Sequence, residues 1–229
     1  MPENPVDKDT EKTWGRVLER NRLKYPNESV VRWLTAVRGH YGQSARALEM
    51  GFGSGQHLQL LLDHDLRVDG TEFLETAIEL GEKILRAHPL GGEIVRGDLD
   101  HPTIEAQSYD LFLAWGVLCL QTRSEMRRTL TRIHRILRPG GRACMDFRTP
   151  HNWFCGLGRE VPSPGSRYWE LDERAEEYCG FHYSFLDLEE LQELFADSPL
   201  EIEVTERLDW WKGGMDKRHS WWIVRCIKK

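Results

Sequence analysis

The sequence lacks a long apolar segment and an apolar leader. No run of apolar residues approaches the roughly 18 that would indicate a membrane helix. The first residues, MPENPVDKDT, are polar and do not contain the apolar core of a signal peptide. We therefore expect a soluble, cytoplasmic protein that has no membrane partner.

An excess of basic residues is also missing. The 229 residues include 31 Lys and Arg against 37 Asp and Glu, which gives a formal net charge of −6. A protein that binds nucleic acid needs a basic face to meet the phosphates, so this balance argues against a nucleic-acid partner. A small-molecule substrate is the expected alternative.

Paired cysteines are absent as well. The five cysteines are scattered, odd in number and include no Cys-x-x-Cys pair. Reduced thiols are therefore expected, and we predict neither a disulfide framework nor a metal site. A thiol or arsenite substrate, which would need cysteines brought together by the fold, is disfavoured for the same reason.

The most informative segment present is residues 45–58, ARALEMGFGSGQHL. It reads as an apolar strand, a glycine-rich turn and the start of a helix. Glycines at every second position leave the turn without β-carbons, so a ligand can lie against the backbone and the helix N-terminus. The dinucleotide pattern Gly-x-Gly-x-x-Gly is not met, because Gln56 stands where its third glycine is required.

Helical and strand patterns alternate along the rest of the chain. Helices are predicted over residues 14–24, 28–38, 55–63, 74–87, 124–137 and 186–195, the last with Asp187 as its N-cap. Strands are predicted over residues 45–50, 66–72, 93–97, 109–115, 142–147, 200–209 and 220–227, and residues 148–166 form a long loop. This order predicts an α/β fold with a doubly wound, mostly parallel sheet and a C-terminal antiparallel hairpin.

These features together resemble the class I S-adenosylmethionine-dependent methyltransferases. The acid and glycines Glu49-x-Gly51-x-Gly53-x-Gly55 resemble the first motif of that family, and Leu137-Arg138-Pro139-Gly140-Gly141 resembles its helix-to-strand landmark. The resemblance covers about residues 45–147 and implies a Rossmann-like, seven-stranded sheet with an antiparallel seventh strand. Phe52 departs from the pattern, since many members have a smaller residue there.

The resemblance implies S-adenosyl-L-methionine as the cofactor and places its contacts at the ends of successive strands. Glu49 and the turn would hold the methionine part, Glu72 would accept the ribose hydroxyls, and Asp98 would hold the adenine. The full set of predicted cofactor residues is Trp14, Tyr25, Glu49, Gly51, Phe52, Gly53, Gly55, Glu72, Phe73, Asp98, Leu99, Trp115 and Gly116.

The predicted organisation is one methyltransferase domain over residues 13–229, after a flexible segment 1–12. N-terminal helices would cover the mouth of the cofactor site, and residues 148–183 would form a substrate lid. Within that lid, Arg148 or Arg159 could anchor an acidic group of the substrate, and the aromatic residues suit a flat or apolar acceptor.

The implied reaction is methyl transfer to a small molecule by in-line displacement, with oxygen as the expected acceptor atom. A general base is needed only where the acceptor carries a proton of high pKa. The candidates are His151, Asp146 and His182.

Three alternatives remain at this stage. A nicotinamide-dependent oxidoreductase is disfavoured by Gln56 and the terminal hairpin. Methylation of RNA or protein is disfavoured by the acidic charge and by Ala114-Trp115-Gly116-Val117 after the fourth strand, which lacks a signature for amino-group targets. A catalytically silent protein that binds the cofactor would retain the same acids. A monomer and a homodimer are equally compatible with the sequence.

Overall fold

The computed structural model describes residues 14–16, 18, 22–162 and 167–229. The predicted flexible segment 1–12 and part of the predicted helix 14–24 lie outside this range. Residues 14–16 and 18 are helical, whereas residues 22–24 are not. The chain divides after His101 into two compact units. The single domain over residues 13–229 stays a prediction.

The first unit is a parallel three-stranded sheet with helices between its strands. Its helices are α1 (Glu28–Val37), α2 (Gln56–Asp63) and α3 (Glu75–Arg86), and its strands are β1 (Arg46–Met50), β2 (Arg67–Glu72) and β3 (Gly91–Arg96). The strand order is β3-β2-β1, and both pairings are parallel. Each strand therefore ends at the same edge of this sheet, where ligands bind in such folds.

The glycines at the start of β3 differ from expectation. The predicted strand begins at residue 93, but the observed strand begins at Gly91 and includes Gly92. A β-carbon on Gly91 would lie 1.9 Å from the carbonyl oxygen of Leu85, and one on Gly92 would lie 1.9 Å from Oδ1 of Asp69. The two glycines thus allow the strand to pass close to α3 and β2.

The second unit contains the remaining strands and two helices. Its helices are α4 (Arg123–Ile136) and α5 (Leu188–Ala196), and its strands are β4 (Tyr109–Ala114), β5 (Leu137–Arg148), β6 (Gly158–Val161), β7 (Arg167–Leu171), β8 (His182–Phe185), β9 (Glu201–Lys212) and β10 (Lys217–Ile227). Strand β5 pairs in parallel with β4 and β8, and β10 lies antiparallel to both β5 and β9. The predicted C-terminal hairpin is therefore confirmed.

Three short strands in this unit were not predicted. The seven predicted strands correspond to β1–β5, β9 and β10, whereas β6, β7 and β8 form an additional antiparallel set. The prediction of an uninterrupted loop over residues 148–166 is wrong at β6. The predicted start of α5 is correct, because Asp187 accepts a bond from the Glu190 backbone and the Glu190 carboxylate accepts one from the Asp187 backbone.

Candidate functional site

The glycine turn after β1 has a backbone that only glycine adopts readily. Gly51, Gly53 and Gly55 have φ values of 65°, 50° and 76°, all in the left-handed region. A β-carbon on Gly53 would meet nothing within 4 Å, whereas one on Gly55 would lie 2.4 Å from Cδ1 of Ile84. The turn therefore packs against α3 at Gly55 and presents bare backbone to open space at Gly53.

The carboxylate of Glu72 connects this turn to the end of β2. Its Oε2 accepts a hydrogen bond of 3.1 Å from the Gly53 N–H. Its Oε1 accepts bonds from the backbone of Phe73 at 2.7 Å and of Leu74 at 3.3 Å. Each carboxylate oxygen has two lone pairs, so Oε2 keeps one for a hydroxyl donor.

Glu49, the last but one residue of β1, is paired with a histidine that the sequence analysis missed. The Nδ1 of His57 lies 3.1 Å from Oε1 of Glu49, and the Asn27 N–H donates to Nε2 of the same ring at 3.1 Å. Because Nε2 accepts a bond, the ring proton must be on Nδ1, where it is donated to Glu49. The neutral ring thus fixes Glu49 from one side.

The other side of Glu49 has an acceptor with no partner. Oε2 is buried and has no hydrogen bond within the described part of the chain. Burial raises the pKa of Glu49, while the bond from His57 opposes that rise. A buried carboxylate oxygen without a donor is costly, and a cationic donor would offset that cost.

The segment before α1 is attached to the same turn. The Leu23 N–H donates to Oγ of Ser54 at 3.1 Å, and Asn27 is bound to His57 as described. Of the two aromatic residues predicted to contact the cofactor here, Trp14 is half-buried and Tyr25 is 76% exposed. Tyr25 has the Lys24 ammonium 5.6 Å from its ring centroid.

The remaining predicted residues of the first unit have distinct surroundings. Phe52 is buried with its ring against the backbone of Gly70 and Gly81, so its side chain belongs to the core. Phe73 is 39% exposed, directly after Glu72. Oδ1 of Asp98 accepts a bond from the Asp100 N–H at 2.9 Å, and Leu99 is buried.

In the second unit, Asp146 supports the turn that follows β4. It is fully buried within β5, and its Oδ1 accepts a hydrogen bond from the N–H of Gly116, whose φ is 74°. Trp115, just before that glycine, is half-buried. This bond makes Asp146 a residue that positions the turn, which is not the role of general base given to it from the sequence.

The two histidines predicted as bases have different environments. His151 is exposed, and its backbone N–H donates to Oγ1 of Thr149. His182 begins β8 and is half-buried, with its ring stacked on Tyr168 at a centroid distance of 5.3 Å. The geometry favours neither of them as a base.

A comparison with known protein families matches the part of the chain that contains this turn. Residues 47–141, which include all of β1 except Arg46, the glycine turn and Glu72, match the model of the methyltransferase domain family. The chain thus resembles the methyltransferase domain family over less than half of its length. The predicted resemblance to methyltransferases and the α/β fold class are therefore confirmed.

Individual methyltransferases resemble the chain more distantly. The ribosomal RNA small subunit methyltransferase C of Alcanivorax borkumensis is 29% identical over 110 residues, which cover 43% of this chain and 34% of that protein. The O-methyltransferase rstn1 of Aspergillus nomiae is 28% identical over 142 residues, which cover 60% of this chain and 57% of that protein. The chain thus spans about a third to just over half of these relatives.

A solved structure shares the fold over the whole chain. The 1,6-didemethyltoxoflavin-N1-methyltransferase of Burkholderia thailandensis, crystallised with bound 1,6-didemethyltoxoflavin and S-adenosylhomocysteine, superimposes with a TM-score of 0.67. The two proteins are 18% identical, and the match covers 100% of this chain and 92% of that one.

The residues around the turn fit the methyltransferase cofactor. The unpartnered Oε2 of Glu49 suits an ammonium donor, the open space at Gly53 suits a ligand laid on backbone, and Glu72 suits a hydroxyl donor. Across the described residues, no group of three or more His, Cys, Asp or Glu side chains could hold a metal ion. No described helix is long and apolar enough to cross a bilayer.

Proposed function

We propose that this protein is a methyltransferase that transfers the methyl group of S-adenosylmethionine to an oxygen atom of a small molecule. The observation that carries the proposal is the pair of buried acids at the glycine turn, with Glu49 retaining an unpartnered oxygen. An unsatisfied buried oxygen is costly, and a ligand that donates a hydrogen bond to it removes that cost. The name of rstn1, an O-methyltransferase, supports oxygen as the acceptor atom.

The cofactor, when bound, supplies an activated sulfonium methyl group for in-line displacement by the acceptor. The protein's own contribution is alignment and exclusion of water. Glu49, oriented by His57, holds a cationic group, and Glu72 fixes the turn while keeping a lone pair for a hydroxyl. We propose that Asp98, Leu99, Trp115 and Gly116 complete the cofactor site and that residues 148–183 bind the acceptor.

The proposal leaves the proton of the acceptor without an assigned base. The exposed position of His151 and the backbone bond of Asp146 argue against either in that role. An acceptor that is already anionic, such as a phenolate or an enolate, needs no base, and its negative oxygen is the better nucleophile. An acidic hydroxyl is therefore the acceptor that we favour.

The first test is calorimetric titration of the purified protein with S-adenosylmethionine, S-adenosylhomocysteine and NADH. We expect micromolar binding of the two adenosyl ligands and none of NADH. Binding of NADH alone would contradict the methyltransferase proposal. Absence of binding by all three ligands would do the same.

The second test measures transfer of a labelled methyl group to separate acceptor pools. Small phenols, small amines and purified ribosomal RNA are incubated with the protein and S-adenosylmethionine. We expect label on a phenol oxygen. Label on RNA, on which the Alcanivorax relative acts by its name, would overturn the small-molecule proposal. Binding without transfer to any pool would indicate the catalytically silent alternative.

A further inference from the structure

Strand β5 ends in an arginine enclosed by aromatic rings. Arg148 is 8% exposed, although arginine is almost never this buried unless it has a partner. The arginine cluster consists of Arg148, Phe154, Tyr183 and Trp221. The guanidinium carbon lies 4.4 Å from the ring centroid of Trp221, 5.6 Å from that of Phe154 and 5.8 Å from that of Tyr183.

The guanidinium has hydrogen-bond donors that nothing satisfies. Nε and Nη1 are both buried, and neither has a hydrogen-bond partner among the residues that the structure describes. Leaving two nitrogen atoms of a charged group without acceptors costs free energy that the stacked rings offset only in part. Such an environment is expected for an arginine that binds an anionic ligand.

The other arginines of the same segment differ from Arg148 in this respect. Arg159 pairs with Glu170, Arg167 with both Asp187 and Glu190, and Arg174 with Asp172. The sequence left Arg148 and Arg159 as equal candidates for an anchor. The structure separates them, because the side chain of Arg159 is 72% exposed and already paired.

The groups around Arg148 do little to neutralise it. The Cys119 thiol stays protonated because burial raises its pKa to about 12, and burial also raises the pKa of the Tyr183 phenol. His219 stays neutral because burial, Arg148 and two lysines lower its pKa to about 4. Asp146 acts on the guanidinium electrostatically but bonds to neither Nε nor Nη1.

We propose that the arginine cluster is a subsite for the carboxylate of a planar, aromatic acceptor. The fork of N–H donors matches a carboxylate, and the flanking rings match a flat apolar body. The inference rests on the proposed function, because the bound molecule is the acceptor of the methyl group. The inference specifies that the acceptor is an aromatic acid. It also means that this acid can bind the arginine cluster in the absence of the cofactor.

The test is calorimetric titration with three small probes, with and without saturating S-adenosylhomocysteine. Benzoate is planar and anionic, benzamide is its neutral analogue, and cyclohexanecarboxylate is anionic but not planar. We expect benzoate to bind at least about tenfold more tightly than benzamide, the scale of a charge-assisted bond. Cyclohexanecarboxylate should bind more weakly than benzoate, because it cannot stack on the rings.

Substitution assigns the preference to Arg148. Arg148→Met should remove the tenfold preference for benzoate, and Arg148→Lys should keep part of it, since the charge remains but the fork is lost. Arg159→Met is the matched control in the same segment and should bind benzoate as the unaltered protein does. Arg148→Lys retains the charge, so it tests the role of the fork in binding separately from the effect of removing the charge.

A stability measurement separates a ligand anchor from a structural ion. Removal of a buried charge with unmet donors should leave the melting temperature of the Arg148→Met protein unchanged or higher. A clear fall would show that the guanidinium is satisfied within the fold, and would overturn the proposal. The proposal would also be overturned if benzoate and benzamide bound with equal affinity, or if benzoate bound equally to the unaltered and the Arg148→Met proteins. Absence of benzoate binding would overturn it too.

The titrations also keep the two proposals distinguishable. Binding of S-adenosylhomocysteine without any preference for benzoate would contradict the subsite and leave the methyltransferase proposal intact. Failure of S-adenosylhomocysteine to bind would contradict the methyltransferase proposal whatever the probes do.

Discussion

Glu49 has two oxygens in unequal surroundings, one bonded to His57 and the other without a donor. Its position before the glycine turn is the signal from which the sequence predicts it as a cofactor residue. His57 was missed because its partners lie 8 and 30 residues away in the chain. A histidine beside the leucines on the buried face of α2 was the available signal, and a buried core histidine would give the same pattern.

The raised pKa of Glu49 predicts how ligand affinity depends on pH. A cationic ligand needs the ionised carboxylate, so S-adenosylhomocysteine should bind more weakly as the pH falls through the raised pKa, which lies above the reference value of 4.5. Glu49→Gln should bind weakly and lack this dependence, whereas His151→Gln should keep it. Calorimetry at stepped pH measures both. An identical pH profile in Glu49→Gln would contradict the assignment.

The same shift has a consequence for the stability of the ligand-free protein. Above the unfolded pKa and up to the raised folded pKa, the native state binds more protons than the unfolded state, so Glu49 makes stability fall as the pH rises. Thermal melts across this interval should show a shallower fall for Glu49→Gln than for the unaltered protein. Parallel curves would show that another group dominates.

Glu72 should affect affinity by two routes, since it bonds to the turn and keeps a lone pair for the ligand. Glu72→Ala should weaken S-adenosylhomocysteine binding by about tenfold or more, and Glu72→Gln should weaken it less because one acceptor oxygen remains. Glu75→Ala, at an exposed acid in the first turn of α3, is the control. Unchanged affinity in Glu72→Ala would remove Glu72 from the site.

At the scale of elements, the sequence predicted the strands and helices of residues 45–147 well. Strongly apolar strands and amphipathic helices alternate there, and glycine or proline marks their ends. The short strands β6–β8 carry no comparable signal. Strands β6 and β7 are only partly buried, β8 is buried but only four residues long, and the partners of all three in the sheet are set by the fold. Their segment also contains the glycines and prolines that ordinarily indicate loops.

Gly91 tests the close packing of β3 against α3. Gly91→Ala would place a β-carbon against the carbonyl of Leu85, which is backbone and cannot rotate away. We expect a loss of about 1–3 kcal/mol in the free energy of unfolding, as for other overpacked sites. Gly39→Ala is the matched control, since a β-carbon there would meet nothing within 4 Å. Chemical denaturation measures both, and equal stabilities would contradict the predicted clash.

On the scale of the whole molecule, the five cysteines are free thiols with graded burial. Cys119, Cys144 and Cys226 are buried, Cys155 is half-buried and Cys179 is exposed. Burial raises the pKa of Cys119 and of Cys144 to about 12. Their positions in the sequence do not reveal this order of exposure.

This gradient predicts the course of thiol labelling by an aromatic disulfide reagent. Cys179 should react first, Cys155 more slowly, and the three buried thiols only after unfolding, because the thiolate is the reactive form and burial disfavours it. Cys179→Ser should abolish the fast phase, and full reaction in denaturant is the control. Rapid labelling of all five cysteines in the native protein would show that the reagent reaches the buried thiols and would contradict the prediction.

The ring of Phe52 limits which side chains can replace Gly70 and Gly81. Its backbone belongs to the turn that presents the cofactor surface, while its ring occupies the space that side chains at Gly70 and Gly81 would need. The side chains at these three positions therefore share one space, so a larger side chain at one position requires a smaller one at another. An added methyl group on β2 or α3 would displace the ring and, through it, the turn. Affinity for the cofactor thus depends on residues that never touch it.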